Sequence, residues 1–166
     1  MVTEVCEGGQ LQDNLLINIS TMKYSNEIII SLPRKKVIDL FDNTENLYKW
    51  QPGLQKFEHL SGEPGQEGAR STLLYKMGKR ENEMIETITK RNFPDEFSST
   101  YEAKGVWNRQ QNYFAEAGTD KTKWTTVSEF KCSGFMKVIC WLMPGVFKKQ
   151  TLKFMKDFKD FAESSA

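Results

Sequence analysis

Apolar side chains follow two rhythms along this chain, and the switches between them mark its elements. Residues 19–32 end in Asn26-Glu-Ile-Ile-Ile-Ser-Leu32, a β-branched run that favours a strand. Pro33 suits the first turn of a helix, where its missing N–H costs nothing, and Val37, Leu40 and Phe41 at i, i+3, i+4 give that helix one apolar face. Asp42-Asn43-Thr44 breaks it. A second short helix is predicted over 44–50, carrying Leu47, Tyr48 and Trp50 and stopping at Pro52-Gly53. Beyond Gly53 the period falls to two. Strands are predicted over Leu54–Ser61, Ala69–Met77, Asn82–Asn92, Glu96–Ala103, Val106–Ala117 and Lys121–Cys132. All but one of the intervening turns are short enough to demand antiparallel neighbours. The chain then turns helical again from Phe147. Leu152, Met155, Phe158 and Phe161 fall on one face, and Lys148, Lys149, Lys153, Lys156 and Lys159 cover the other. Gly134–Met143 is expected to be the first part of that helix, kinked at Pro144.

This order predicts an α+β domain over 19–166, preceded by a flexible N-terminal tail over 1–18 that holds Gly8-Gly9-Gln10 and Asp13-Asn14. A curved antiparallel sheet of about seven strands needs a cover for its concave face, and only the C-terminal helix is long and apolar enough. Space is expected between sheet and helix.

Hairpin geometry assigns side chains to that space. Centring the first hairpin on Arg80-Glu81 opposes Met77 to Met84, Tyr75 to Glu86 and Leu73 to Ile88, and this more apolar set is placed inward. Centring the next on Pro94-Asp95 opposes Ile88 to Tyr101. The turn at Lys104-Gly105 has two solutions. A two-residue loop points Asn108, Gln110, Asn112 and Phe114 inward; a three-residue loop that includes Val106 points Trp107, Arg109, Gln111 and Tyr113 inward. The last strand places Trp124, Thr126, Ser128 and Phe130 inward. A four-residue Gly118–Lys121 loop pairs that set with Tyr113 and Gln111, which selects the three-residue version. The expected ligand-facing set is Tyr75, Met77, Met84, Glu86, Ile88, Tyr101, Trp107, Arg109, Gln111, Tyr113, Ser128 and Phe130. Met143 and Phe147 join it from the last helical segment.

Composition narrows the function classes. The chain has 166 residues, of which 39% are hydrophobic and 27% charged, which excludes a disordered or collagen-like chain. Lys plus Arg number 23 against 22 Asp plus Glu, a net charge of +1, so no nucleic-acid partner is expected. Aromatics at 12% suit a large core or an apolar pocket. Cys6, Cys132 and Cys140 are odd in number and lack a C-x-x-C spacing, so neither a zinc site nor a disulfide framework is expected, and free thiols fit a reducing cytosol. The N-terminus has no basic region or long apolar run of a signal peptide, and the most apolar stretch, Phe135–Phe147, falls short of the ~20 residues of a membrane helix. A soluble cytoplasmic protein without metal or cofactor is the expectation.

Two residues are candidates for proton chemistry. Glu86 beside Tyr75 is an acid that burial would tune, or else an ordinary cross-strand pair. His59, the sole histidine, is a candidate general base or a structural side chain. Arg109 suits a carboxylate or phosphate on a ligand, or a salt bridge to Glu86 or Glu102. The lysine face of the last helix suits transient contact with an anionic membrane, or solvent alone.

Several local motifs resemble the SRPBCC superfamily, the helix-grip group that includes START domains, birch-pollen-allergen-like proteins and polyketide cyclase/dehydrase relatives. Pro33–Phe41 looks like the post-strand helix opening on Pro, and Leu47–Gly53 like the Trp-x-Pro end of the second helix. Gly62-Glu-Pro-Gly-Gln-Glu-Gly68 is similar to the Gly-rich loop between the second and third strands, and Gly118 through Trp124 to the final hairpin. The resemblance runs over residues 22–162. It implies a helix-grip fold and a small hydrophobic ligand such as a lipid, polyketide, sterol or quinone. It carries no catalytic residues and no Rieske iron–sulfur ligand set. Three readings follow: a binding or transfer protein; a cyclase/dehydrase-like enzyme in which Glu86 or His59 moves protons; and an interaction module whose Phe135–Phe147 stretch docks a partner.

Overall fold

The structure, a computed structural model, describes residues 21–165; the expected tail over 1–18 and Cys6 lie outside the described residues. Strand β1 (Thr21–Ile30) leads into helix α1 (Arg34–Phe41), a 3-10 turn at Thr44–Asn46 and the short helix α2 (Leu47–Trp50). Six strands follow: β2 (Leu54–Ser61), β3 (Arg70–Met77), β4 (Arg80–Asn92), β5 (Glu96–Ala103), β6 (Val106–Glu116) and β7 (Thr122–Cys132). Helices α3 (Met136–Leu142) and α4 (Pro144–Ser164) close the chain. The predicted bounds match to within a few residues. The last helical segment is two helices rather than one kinked helix, because Met143 leaves helical geometry (φ −133°, ψ 52°) just before Pro144 opens α4.

All seven strands form one antiparallel sheet in the order β1-β7-β6-β5-β4-β3-β2. The two edges are strands adjacent in sequence, so α1 and α2 must carry the chain from one edge to the other. Helix α4 returns over the inner face and packs against β1 and α2. Beneath one end of it lies a core of Ile30, Val37, Trp50, Phe114, Trp124, Met155 and Phe158, all buried. Phe41 is its hub, with ring centroids from 5.1 Å (Phe114) to 6.4 Å (Phe93) and with Trp50, Phe97, Trp124 and Phe158 between. The Trp50 ring stacks on Phe41 and the other five meet it edge to face; such aromatic pairs add about 0.5–1.5 kcal/mol each beyond area burial.

Three hairpin registers differ from expectation. The first turn is Gly78-Lys79, since Gly78 takes the positive φ (64°) that the turn requires. Leu73 therefore opposes Met84, Tyr75 opposes Asn82 and Ser71 opposes Glu86. That slip is by an even number of positions, so the inward face is kept. In the second hairpin Ile88 opposes Ser99 and Glu86 opposes Tyr101, with a bulge between Ile88 and Lys90; again the face survives. The third departure reverses a face. Gly105 (φ 79°) closes a two-residue turn, Ala103 opposes Val106, and Asn108, Gln110, Asn112 and Phe114 point inward. Trp107, Arg109, Gln111 and Tyr113 lie on the outer face, contrary to expectation. The cause is the loop after β6, which runs from Ala117 to Lys121, one residue longer than expected; a one-residue change in register exchanges the two faces of a strand.

Cys132 and Cys140 are joined in a disulfide, which corrects the expectation of free thiols. The end of β7 and the last turn of α3 bring the two Cα atoms to 6.7 Å across a sequence separation of 8. This removes the free-thiol argument for a reducing compartment. No described helix is long and apolar enough to cross a membrane.

Candidate functional site

Between the inner face of the sheet and α4 lies a cavity of about 820 Å³. Each strand from β2 to β7 contributes alternate side chains to it, as the period of two requires. The register aligns one row of them across the sheet: His59 opposes Ser71, Ser71 opposes Glu86, Glu86 opposes Tyr101, Tyr101 opposes Asn108, and Asn108 opposes Phe130. With neighbouring strands about 4.8 Å apart, His59 and Glu86 stand roughly 10 Å from one another. They are two separate groups, not a hydrogen-bonded dyad.

The cavity has unlike walls. Phe57, Leu73, Met84 and Ile88 form an apolar wall on β2–β4, and Leu47, Trp50, Phe147, Phe154 and Met155 face it from the helices. Asn108, Gln110 and Asn112 of β6 line the other half. Asn112 is buried and its Oδ1 accepts from Trp124 Nε1 and Thr126 Oγ1, each at 3.0 Å, which locks its orientation. The Trp50 Nε1 and the Ser128 hydroxyl are buried and have no hydrogen-bond partner within the protein. Trp50 also contributes to the cavity lining, although its Nε1 is itself buried.

Glu86 is the acid of the site. It is half-buried and lines the cavity. Tyr101 donates its hydroxyl to Glu86 Oε1 at 2.7 Å. Burial holds the Glu86 carboxyl above the usual carboxylate range, and the Tyr101 hydrogen bond opposes that shift without cancelling it. The same burial, with the nearby Glu86 charge, raises the Tyr75 and Tyr101 hydroxyls, so both stay protonated and serve as hydrogen-bonding groups. Tyr75 donates to Gln51 Oε1, which ties β3 to the end of α2. His59 sits at the exposed rim on edge strand β2, with Nε2 3.0 Å from the Gly62 carbonyl oxygen and Pro64 and Gly65 beside it on the cavity wall.

Of the expected ligand-facing residues, Tyr75, Met84, Glu86, Ile88, Tyr101, Phe130 and Phe147 come together on this cavity, as does His59. Ser128 is buried on the inward side of β7. Met77 ends β3; its side chain is not described. Met143 is 54% exposed in the link between α3 and α4 and does not line the cavity. On the outer face Arg109 pairs with Glu129 at 2.8 Å, Trp107 carries Lys131 4.7 Å over its ring, and Gln111 donates to the Tyr113 hydroxyl at 3.0 Å. The residues missed are Asn108, Gln110 and Asn112, whose signal was the other solution of the Lys104-Gly105 turn. The helical wall, Leu47, Trp50, Phe154 and Met155, was legible as apolar periodicity.

A second depression of about 830 Å³ lies outside, by Pro33, Ile38, Phe93 and Pro94. Arg34 on its rim already pairs with Asp95 (2.7 Å) and Glu116 (3.5 Å). The interior cavity, with apolar walls and a few polar groups among them, has the form of a small-molecule site. Among the described residues no cluster of His, Cys, Asp or Glu could hold a metal ion.

No protein-family model matches the chain, and no curated protein matches it in sequence. Solved structures do. Norcoclaurine synthase from Thalictrum flavum, in complex with dopamine and hydroxybenzaldehyde, superposes with a TM-score of 0.69 at 13% identity over 99% of this chain and 99% of that one. Ara h 8.0201 gives 0.71 at 16% identity, covering 87% of this chain and 99% of that one. The Zhui aromatase/cyclase of a Streptomyces strain gives 0.71 at 11% identity, over 86% and 94%. At these identities the likeness is one of fold. The chain's structural neighbours are Bet v 1-like proteins of the SRPBCC superfamily, and the architecture it shares with them is the helix-grip fold.

Proposed function

We propose that this protein binds or transfers a small hydrophobic molecule with a polar end in the cavity between sheet and α4. The observation that carries the reading is the cavity itself: about 820 Å³, with apolar side chains from β2–β4 and the helices, and hydrogen-bonding groups that include Glu86, Tyr101 and Asn108. Its size falls within the roughly 300–1,000 Å³ of ordinary ligand pockets. Burial of ligand surface at about 25 cal/mol/Å² supplies most of the affinity. Glu86, Tyr101 and Asn108 orient the polar end. The neighbour that holds dopamine and hydroxybenzaldehyde supports small aromatic molecules within that class. Native mass spectrometry before and after organic extraction tests the reading. A co-purifying small molecule lost on extraction is expected. A clean mass, with no thermal shift from a panel of lipids, polyketides, sterols and quinones, overturns it.

One observation favours an enzymatic second reading. Glu86 is an acid held above its usual range inside an apolar pocket, fixed by Tyr101. Such a carboxyl can exchange a proton with a bound substrate, and Tyr101 can steady a developing oxyanion. Two of the neighbours, a synthase and an aromatase/cyclase, are named as enzymes. Glu86→Gln then abolishes turnover while binding survives. Turnover that persists in both Glu86→Gln and His59→Ala removes this assignment.

A further inference from the structure

One stretch of the chain leaves its large apolar side chains in solvent. Phe135 is 77% exposed, Trp141 70% and Leu142 62%, and Val138 and Val146 are exposed beside them. Phe135, Val138 and Leu142 recur at i, i+3, i+7 and share one side of α3, with Trp141 alongside Val138. The opposite side of α3 is tied down. Cys140 is buried and bonded to Cys132, and Met136 lines the cavity. The exposed side therefore has no route into the core.

Charge along this part of the chain is one-sided. From Phe130 to Lys156 the chain carries Lys131, Lys137, Lys148, Lys149, Lys153 and Lys156 and no Asp or Glu, within a chain whose net charge is +1. All six lysines are exposed. Among the described residues only Lys131 and Lys153 form ion pairs, with Glu129 (3.7 Å) and Asp157 (2.6 Å). An apolar patch in a stretch of chain whose exposed charges are all cationic complements a surface that is anionic outside and apolar beneath.

We propose that α3 and the first turns of α4 are a docking surface for an anionic phospholipid bilayer. Phe135, Trp141 and Leu142 enter the boundary between headgroups and acyl chains, and Lys137, Lys148 and Lys149 meet the phosphates. A symmetric second copy fits poorly, since apposing the patch on itself sets lysine against lysine. No described helix crosses a membrane, so the contact is peripheral and reversible. The inference stands apart from the cavity reading: vesicle binding by a protein with an empty cavity leaves it intact.

The test is co-sedimentation of the whole chain with vesicles of phosphatidylcholine alone and of phosphatidylcholine mixed with phosphatidylserine. The expected result is pelleting with the mixed vesicles only, reversed by high salt. Brominated acyl chains then quench tryptophan emission, and Trp141→Phe removes that quenching while retaining the binding. The pair Trp141→Ser with Leu142→Ser lowers partitioning at least about tenfold, as does Lys148→Glu with Lys149→Glu at low salt. These side chains are exposed, so unaltered thermal melts confirm folding. Three results overturn the proposal: no pelleting with either vesicle, unchanged pelleting of both paired variants, or a lipid-free dimer that the Trp141→Ser, Leu142→Ser pair dissolves.

Discussion

Glu86 is more comfortable protonated in this fold than in an unfolded chain, and that has a sign. Its folded pKa is raised above 4.5, so between the two values the native state binds more protons than the unfolded state. Stability contributed by this group is therefore present at low pH and falls as pH rises through that window, with the full cost above it. Glu86→Gln preserves shape and an acceptor for Tyr101 but cannot ionise. It is expected to be more stable than the parent at neutral pH, and the difference vanishes below the ordinary carboxylate pKa of 4.5. Urea unfolding of both proteins across a pH series measures this. A Gln variant that is less stable at neutral pH would mean that the ionised carboxylate is a net favourable group in the fold. The acid itself was legible in sequence as a polar residue on an apolar face. Its partner was not, because Tyr101 meets Glu86 only through a bulged hairpin whose register no local pattern announces.

At the scale of elements, the turns decided what could be read. The helices and strands show themselves through periodicity, a property of a dozen residues at a time. A turn is set by one or two residues, and an error of one residue there exchanges a strand's faces. That is how Trp107 and Arg109 were placed in the cavity while Asn108 and Asn112 occupy it. Gly105 makes the point testable. Its φ is 79°, and an added Cβ would stand 3.1 Å from Met136 Cγ and 3.3 Å from the Ser133 carbonyl oxygen. Gly78 has a similar φ of 64° with nothing within 4 Å. Gly78→Ala is expected to cost about 1 kcal/mol from backbone strain alone. Gly105→Ala should cost about 1–3 kcal/mol and also loosen α3. Thermal melts give the difference, and hydrogen exchange over residues 133–142 reports the helix. Along α4 the periodicity was right about the core: Phe158 is fully buried among Phe41, Trp50 and Trp124, and Phe158→Ala is expected to cost about 3–5 kcal/mol.

For the whole molecule, the sequence implied a sheet closed over by a helix, but not whether the space between was filled. Apolar count alone cannot separate a packed interior from a lined one, because the same residues make both. Here aromatic rings fill one end, and the remainder stays open. Met84→Trp puts extra volume into the open part. It is expected to leave thermal stability unchanged or raise it while reducing uptake of whatever ligand co-purifies. Trp107→Ala removes a ring of similar size from the outer face and should leave uptake unchanged. Equal loss in both variants, followed by native mass spectrometry, would tie ligand uptake to global stability and not to the cavity.

The pairing of β1 with β7 has a consequence in time. Thr21 lies opposite Lys131 and Ile30 opposite Thr122, so among the described residues β1 finds its only ladder partner about a hundred residues further along the chain. At about 5–20 residues per second on a ribosome, β1 waits roughly 5–20 s for β7 to be made. Until then Ile28, Ile29 and Ile30 have no sheet to join, and α4, which packs on β1, is not yet synthesised. The pocket therefore assembles last, after β1 has met β7 and α4. A nascent chain stalled anywhere before β7 holds an unpaired β-branched strand, the kind of segment chaperones bind, and nothing that could receive a ligand.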